Sequence, residues 1–285
     1  MRGAWGLLAA ARPRRIAELR RLDEQVRRPL ALSTRVGFVG TAGGSGCSTA
    51  AGLAASVLAR RRSSRVLAVN ASGARRSLLW HAGLLSDATS TSAQDAERAS
   101  ASTAAEALAG LATAPSGLHG LDLTRVTPGD DTRWWEAVAP SSRFFDFVVT
   151  DWGVRDVGSL GHVATASSLL AIVLTPDREA LQRTVEIAAA AHAAQVPSVA
   201  VVVPARGRGP WGVGEALRAM PVPVVRFPVD PAHGWAAPAP SSRLKNATNL
   251  AAIRLAAELV SVAAARRAGA AQRERTDGER QVVTA

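Results

Sequence analysis

Short apolar segments alternate with longer segments of mixed character along most of the chain. The apolar segments are rich in Val, Ile, Leu and Ala, which is typical of strands buried on both faces of a parallel sheet. Between them, apolar residues recur at helical spacing. We predict strands at residues 35–40, 65–70, 121–123, 145–150, 169–174, 198–203 and 222–227, and helices at 14–28, 48–62, 104–111, 132–138, 178–194, 214–219 and 247–267.

This order of elements predicts an α/β fold with a doubly wound, mostly parallel sheet and helices on both faces. With 285 residues and 47% hydrophobic content, the chain is long enough to bury one sizeable core. We divide it into a basic N-terminal helix and tail at residues 1–33, one α/β domain at 34–267 and a disordered charged tail at 268–285. We expect the chain to fold without residues 1–28 and 268–285.

The net charge of +11 lies mostly at the two ends of the chain. Residues 1–28 contain eight Arg against three acidic residues, and residues 266–285 contain five Arg against three acidic residues. Nearly all basic residues are Arg, and Lys245 is the only lysine. Any contact with DNA is therefore expected through the basic tails, for which solubilising termini are the simpler interpretation.

Cys47 is the only cysteine, which excludes an internal disulfide and a multi-cysteine metal site and favours the cytoplasm. No apolar run reaches the roughly 18 residues that span a bilayer, so we expect no transmembrane segment. The apolar stretch near the N-terminus is short for a signal peptide and leads into arginines. The C-terminal residues lack the apolar face of a membrane-targeting helix.

The sequence GTAGGSGCSTA at residues 40–50 lies between a predicted strand and a predicted helix. Gly43, Gly44 and Gly46 allow the backbone to turn its amides inward, and the helix N-terminus adds a positive partial charge. Ser48 lies where a phosphate-binding loop places its magnesium-binding hydroxyl. The segment therefore predicts an anion-binding loop, with a tight structural turn as the alternative.

A second candidate is Asp151, at the carboxyl edge of the apolar strand in FFDFVVTDWG. An Asp in this position can hold the magnesium ion of a bound triphosphate. We therefore predict Ser48 and Asp151 as magnesium ligands. The alternative is an Asp that caps a helix or stabilises a loop.

Six motifs occur in an order that resembles the ParA/MinD family of deviant Walker ATPases: AGGSGCST, RVLAVN, FFDFVVTD, LLAIVLTPDREAL, SVAVVVPARGRG and VVRFPVDP. The resemblance covers about residues 34–262 and is nearest to the MinD-like proteins encoded with actinobacterial type VII secretion systems. It implies a three-layer P-loop NTPase fold, ATP and Mg²⁺ as cofactors, and a protein partner or a homodimer.

The sequence departs from the family pattern at its charged positions. The lysine that crosses to the partner's nucleotide falls on Ala42, and the phosphate-cradling lysine falls on Cys47. The acidic residue after the second strand falls on Asn70, two residues before Ser72, and the asparagine that contacts adenine falls near Pro204. The resemblance leaves no catalytic residue and the following candidate nucleotide-binding residues: Gly43, Gly44, Ser45, Gly46, Cys47, Ser48, Thr49, Asp151, Pro228 and Asp230.

We therefore expect a catalytically degenerate protein that acts as a regulatory or scaffolding partner in secretion or intracellular positioning and binds ATP weakly or not at all. An active, atypical ATPase is the alternative, in which Arg75 and Arg76 are candidates for reaching a phosphate. A dinucleotide-binding oxidoreductase is a further alternative, because Gly40, Gly43 and Gly46 also suit a G-x-x-G-x-x-G turn. For Cys47, the alternative is a thiol activated at a helix N-terminus.

Overall fold

The central feature of the molecule is one eight-stranded sheet. The computed structural model describes residues 13–74, 76–84, 88–123, 132–204, 213–234, 238–239 and 241–283. The strands are β1 Thr34–Gly40, β2 Val66–Asn70, β3 Ala112–Thr113, β4 His119–Asp122, β5 Phe147–Val154, β6 Leu169–Leu174, β7 Ser198–Val202 and β8 Val224–Arg226. Their spatial order is β3-β4-β2-β5-β1-β6-β7-β8, and every neighbouring pair is parallel except β3 and β4. The predicted fold class is confirmed.

Helices cover both faces of this sheet. They are α1 Pro13–Arg27, α2 Cys47–Arg61, α3 Leu78–His81, α4 Ser92–Ala99, α5 Ala104–Ala107, α6 Thr132–Ala137, α7 Leu160–Ala166, α8 Arg178–Ala193, α9 Val213–Arg218 and α10 Asn246–Val283, with 3₁₀ turns at Ser142–Phe144, Pro231–Gly234 and Ser241–Arg243. Residues of α1, α2, α3 and α10 form one core cluster with the sheet. Residues of α6, α7 and α8 form a second cluster on the opposite face.

The continuous apolar character of the strands follows from this layering. In β6, Leu169, Ala171 and Val173 belong to one core cluster, while Leu170 and Ile172 belong to the other. Successive side chains of a strand point to opposite faces, so both sets must be apolar when helices cover both faces.

The strand order of the sheet distinguishes the predicted P-loop fold from the dinucleotide-binding alternative. In the dinucleotide-binding order, the first and second strands of the unit are neighbours. Here β1 pairs with β5 and β6, and β5 lies between β1 and β2. The order therefore disfavours the oxidoreductase alternative.

Several elements differ from the sequence prediction. β5 continues to Val154 instead of ending at residue 150, so Asp151 lies inside the strand, in register with Phe38 and Asn70. The sequence analysis did not predict α3, α4, α7 or β3, which are all short. It placed a helix at 104–111, whereas α5 ends at Ala107.

The last helix is longer than predicted. α10 runs to Val283 and so includes residues 268–283, which the sequence analysis assigns to a disordered tail. Within the described residues, its segment Asn246–Gly269 is also long and apolar enough to cross a membrane by length and composition, and half of its most apolar window is buried. Leu255, Leu259 and Val260 of this segment are fully buried in the core. Packing against the sheet and its neighbouring helices thus accounts for its apolar composition.

α1 is packed against the domain. Leu22 and Val26 are buried in the core, whereas Ile16 and Leu19 are 42% and 39% exposed. The guanidinium of Arg62 donates to the carbonyl of Val26 at 2.6 Å. α1 is therefore part of the packed structure. The expectation that the chain folds without residues 1–28 and the division of the chain into domains both stay predictions.

Truncation of a buried α1 side chain tests this packing. We expect Leu22→Ala to lower the free energy of unfolding by about 2–3 kcal/mol, because it removes apolar contacts and leaves a cavity. The matched change Ile16→Ala, at an exposed position of the same helix, is expected to stay within about 0.5 kcal/mol. Urea unfolding of the two variants measures both values. Equal, small effects would show that α1 does not stabilise the fold.

Candidate functional site

The predicted anion-binding loop connects the end of β1 to the start of α2. Gly44 and Gly46 have φ angles of 76° and 86°, in the left-handed region that favours glycine. A Cβ atom on Gly46 would lie 2.8 Å from a side-chain carbon of Val203, so this position also lacks room for a larger residue. Glycine at residue 46 is thus required by both conformation and space.

The loop borders a cavity of about 370 Å³, which we call the loop cavity. α2 has 15 residues, and its N-terminus directs backbone amides and a positive partial charge toward this space. The seven predicted loop residues all line the cavity. The described lining residues are Ala42, Gly43, Gly44, Ser45, Gly46, Cys47, Ser48, Thr49, Ser72, Ala74, Arg76, His81, Gly153 and Val154.

The carboxylate of Asp151 lies beneath the first turn of α2 and is completely buried. It accepts hydrogen bonds from Ser48 Oγ at 2.5 Å, from Cys47 Sγ at 3.4 Å and from the backbone amide of Gly153 at 3.0 Å. The structure therefore brings the two predicted magnesium ligands, Ser48 and Asp151, into direct contact. A hydroxyl and a carboxylate beside a phosphate loop are a donor set that suits Mg²⁺, which usually takes its remaining ligands from water and phosphate.

Cys47 is the first residue of α2, and its side chain is buried against Asp151. Burial raises the pKa of the Cys47 thiol well above its ordinary value, and the charge and hydrogen bond of Asp151 raise it further. The thiol is therefore protonated at neutral pH. This environment disfavours the interpretation of Cys47 as an activated nucleophile or redox sensor.

Asn70 is buried at the carboxyl end of β2, at the position where the sequence resemblance implies an acidic residue. Its amide nitrogen donates to Asp122 Oδ1 at 2.9 Å, and its Oδ1 accepts from Ser72 Oγ at 2.8 Å. The sequence analysis missed Asp122. Its position at the carboxyl end of a short apolar strand, as for Asp151, was the available signal.

Two arginines near the loop have different contacts. Arg76 lines the loop cavity and its guanidinium lies 5.2 Å from the ring centroid of Trp80. Arg183 of α8 donates to the carbonyl of Thr41 at 3.0 Å and so braces the loop from the opposite layer. Arg75, the other arginine singled out from the sequence, lies outside the described residues.

His81 is a further residue of this region that the sequence analysis missed. Its Nε2 lies 3.1 Å from Thr49 Oγ1, and its ring centroid lies 6.1 Å from that of His233. Burial lowers the pKa of His81 to about 4, with smaller contributions from His233 and Arg76. The imidazole is therefore neutral at physiological pH.

Pro228 and Asp230, two of the predicted nucleotide-binding residues, are not among the described residues that line the loop cavity. Asp230 accepts hydrogen bonds from Thr248 Oγ1 at 2.7 Å and from the backbone amide of Lys245 at 2.8 Å. Burial alone would raise the pKa of Asp230, but these hydrogen bonds outweigh it and hold the pKa below its ordinary value. Asp230 thus anchors the start of α10.

Two glycines of the loop provide a matched test of its geometry. We expect Gly46→Ala to destabilise the fold by about 2–4 kcal/mol, because the new methyl group meets Val203 and the left-handed conformation is strained. A methyl group on Gly43 meets nothing within 4 Å, so Gly43→Ala is expected to change stability by less than about 0.5 kcal/mol. Thermal and urea unfolding distinguish the two. A neutral Gly46→Ala would mean that the loop has another conformation.

The lowered pKa of His81 predicts a pH dependence of stability. Between pH 6.5 and about 4, the unfolded chain binds a proton at residue 81 and the folded chain does not, so stability falls as the pH is lowered. Compared with His81→Gln, the wild-type protein should lose about 2 kcal/mol more across this window, since the ring is partly exposed. Urea unfolding at several pH values measures the difference. Parallel pH profiles of the two proteins would contradict the prediction.

No family model and no curated protein sequence matches the chain significantly. Several solved structures do resemble it. The cell division ATPase MinD from Pyrococcus furiosus has a TM-score of 0.61 at 20% identity, covering 81% of this chain and 100% of that one. The ParA family ATPase from Chlorobium tepidum TLS has a TM-score of 0.56 at 19% identity, covering 81% and 98%.

A third similar structure is the MinC:MinD cell division complex from Aquifex aeolicus, with a TM-score of 0.54 at 13% identity, covering 80% of this chain and 95% of that one. Similarity at this level of identity establishes the fold. The chain therefore has the α/β fold of the ParA/MinD P-loop ATPases.

Proposed function

We propose that this protein is a catalytically degenerate member of the ParA/MinD family that acts through binding, as a regulatory or scaffolding partner. The observation that carries the proposal is the environment of residue 47. In place of the phosphate-cradling lysine, the chain has a buried, protonated thiol bonded to Asp151. Residue 42, where the family has its second lysine, is alanine.

No other lysine is available to the loop. Lys245 is the only one in the chain, and its Nζ donates to the carbonyl of Val229 at 2.9 Å, at the start of α10. A charge-assisted hydrogen bond contributes about 1.5–3 kcal/mol, so the loss of one lysine weakens triphosphate binding by roughly 10- to 150-fold. Loss of a donor to the developing charge of the transition state costs about a further 10²–10³ in rate.

The remaining groups support weak binding of Mg²⁺ and ATP. The loop amides and the N-terminus of α2 would face the phosphates, and Ser48 and Asp151 would hold the metal ion. When bound, Mg²⁺ neutralises phosphate charge. The geometry of the site is kept by Asp151, Ser48 and the glycines. No charge reaches the transition state of ATP hydrolysis from Cys47 or Ala42, which are both neutral.

An active, atypical ATPase is the second candidate function, and Arg76 is the observation that favours it. This exposed guanidinium lines the loop cavity, so it offers a cation from outside the loop. The stacking of Arg76 on Trp80 orients the guanidinium. Residue 47 itself stays neutral. Retained activity would therefore require Arg76, and loss of turnover in Arg76→Gln identifies this case.

A protein partner or a second copy of the chain is the proposed binding partner. Val154 lines the loop cavity and is 48% exposed, and Val157, close to it in the chain, is 46% exposed. Exposed apolar side chains beside the proposed ligand site support a protein contact there. The similar MinD of Aquifex aeolicus is found in a complex with MinC.

We propose that the protein acts in the cytoplasm of an actinobacterial cell, in type VII secretion or in intracellular positioning. Contact with DNA, in this proposal, is limited to the basic ends of the chain.

Restoring the loop lysine tests the proposal. We expect no Mg²⁺-dependent ATP turnover by the wild-type protein above background. Cys47→Lys should tighten ATP binding by roughly 10- to 150-fold, the scale of one charge-assisted hydrogen bond, whereas Cys47→Ala should leave it unchanged. Calorimetry measures the affinities and phosphate release measures turnover.

Hydrolysis should need two further changes, Ala42→Lys and Ser72→Asp. Ser72 is the better position for the acid because it lines the loop cavity, whereas a carboxylate at Asn70 would face Asp122 at 2.9 Å. Robust turnover by the wild-type protein would overturn the degenerate interpretation. Unchanged ATP binding in Cys47→Lys would show that the loop is only a structural turn.

A further inference from the structure

A second cavity lies on the outer side of α2, next to the loop cavity. It has a volume of about 640 Å³, and we call it the outer cavity. Its walls come from four places in the fold: the outer face of α2, the end of α3, the turn before β4 and the segment before α10. Leu53, Ala59 and Leu244 make much of this lining apolar. The size and lining are those of small-molecule sites, which span about 300–1,000 Å³.

The outer cavity has few polar groups, and its described lining carries positive charge but no negative charge. Arg60 is its cation, and the described lining residues include no Asp or Glu. The guanidinium of Arg60 donates to Ser241 Oγ, a neutral acceptor, at 2.9 Å. Ser116 Oγ is buried and has no hydrogen-bond partner among the described residues. The described lining thus combines one cation with a mostly apolar surface.

Arg60 lines the outer cavity and is itself exposed to solvent. Burial lowers the pKa of Arg60, and the neighbouring charge of Arg61 lowers it further. A charged hydrogen bond from this guanidinium favours an anion whose apolar part lies in the cavity. A carboxylate suits the site, since it accepts two parallel hydrogen bonds from a planar guanidinium.

His81 connects the outer cavity to the loop. Its side chain lines both cavities, and its Nε2 is within hydrogen-bond distance of Thr49 Oγ1 in the first turn of α2. A ligand that moves this ring therefore also changes a contact of the phosphate loop.

We propose that the outer cavity binds an amphipathic carboxylate, a small molecule with an apolar body against Leu53, Ala59 and Leu244 and a carboxylate on Arg60. This site is separate from the phosphate loop and goes beyond the proposed function. Binding of the carboxylate in the outer cavity requires no bound nucleotide. It also does not depend on whether the protein hydrolyses ATP.

The test uses decanoate as the probe and 1-decanol as its neutral counterpart, titrated into the full-length protein by calorimetry at concentrations below micelle formation. We expect decanoate to bind at least 10-fold more tightly than decanol, as one charge-assisted contact requires. Arg60→Gln should remove this preference and leave decanol binding unchanged. Arg178→Gln is the control, because it makes the same charge change at an exposed position outside the cavity. This variant should bind decanoate and decanol as the wild-type protein does.

Two further measurements locate the ligand. Ala59→Phe, which fills the cavity, should abolish binding of both probes while circular dichroism shows a folded protein. Decanoate should also shift the NMR signals of His81 and Thr49 in the wild-type protein. Equal affinity for decanoate and decanol in the wild-type protein, or decanoate binding that survives both Arg60→Gln and Ala59→Phe, would overturn the proposal. Self-association that Ala59→Phe abolishes, without any decanoate binding, would assign the cavity to a second copy and overturn it as well.

Discussion

The buried carboxylate of Asp151 joins the helix α2 to the strand β5. Ser48 and Cys47 donate to it from the first turn of α2, and Gly153 donates from the same strand. A buried charge is costly unless hydrogen bonds satisfy it, so the position of α2 on the sheet depends on these donors. The same contacts engage the thiol of Cys47. The hydrogen bonds that fix the first turn of α2 thus also help to keep this thiol protonated.

The central strands place this carboxylate and its neighbours along one edge of the sheet. Asp151 pairs with Asn70 in register, and Asn70 pairs with Asp122 on the next strand. In this row an amide lies between two carboxylates, and its nitrogen donates to Asp122 without adding charge. Ala42, Cys47 and Asn70 supply no charge to the loop cavity or to this edge of the sheet.

The central strands were predictable because both of their faces are covered, which makes their residues uniformly apolar. The prediction ended β5 too early since Asp151 and Trp152 break that pattern, although both are fully buried. The short helix α4 depends on a capping box between Thr91 and Gln94, a local feature within a polar segment. The contacts of the loop with His81 and Arg183 were not predictable, because they join residues 32 and 142 positions apart. Only the packing of the sheet and its helices brings such residues together.

The pairing of α1 with α10 has a consequence for how the chain is synthesised. α1 leaves the ribosome well before α10. Glu18 and Arg254, which form an ion pair across these helices, are 236 residues apart. At a translation rate of about 5–20 residues per second, roughly 12–47 s pass between the emergence of the two residues. During that interval Leu22 and Val26 lack the cover of α10, so a nascent chain exposes an apolar helix face that a chaperone would recognise.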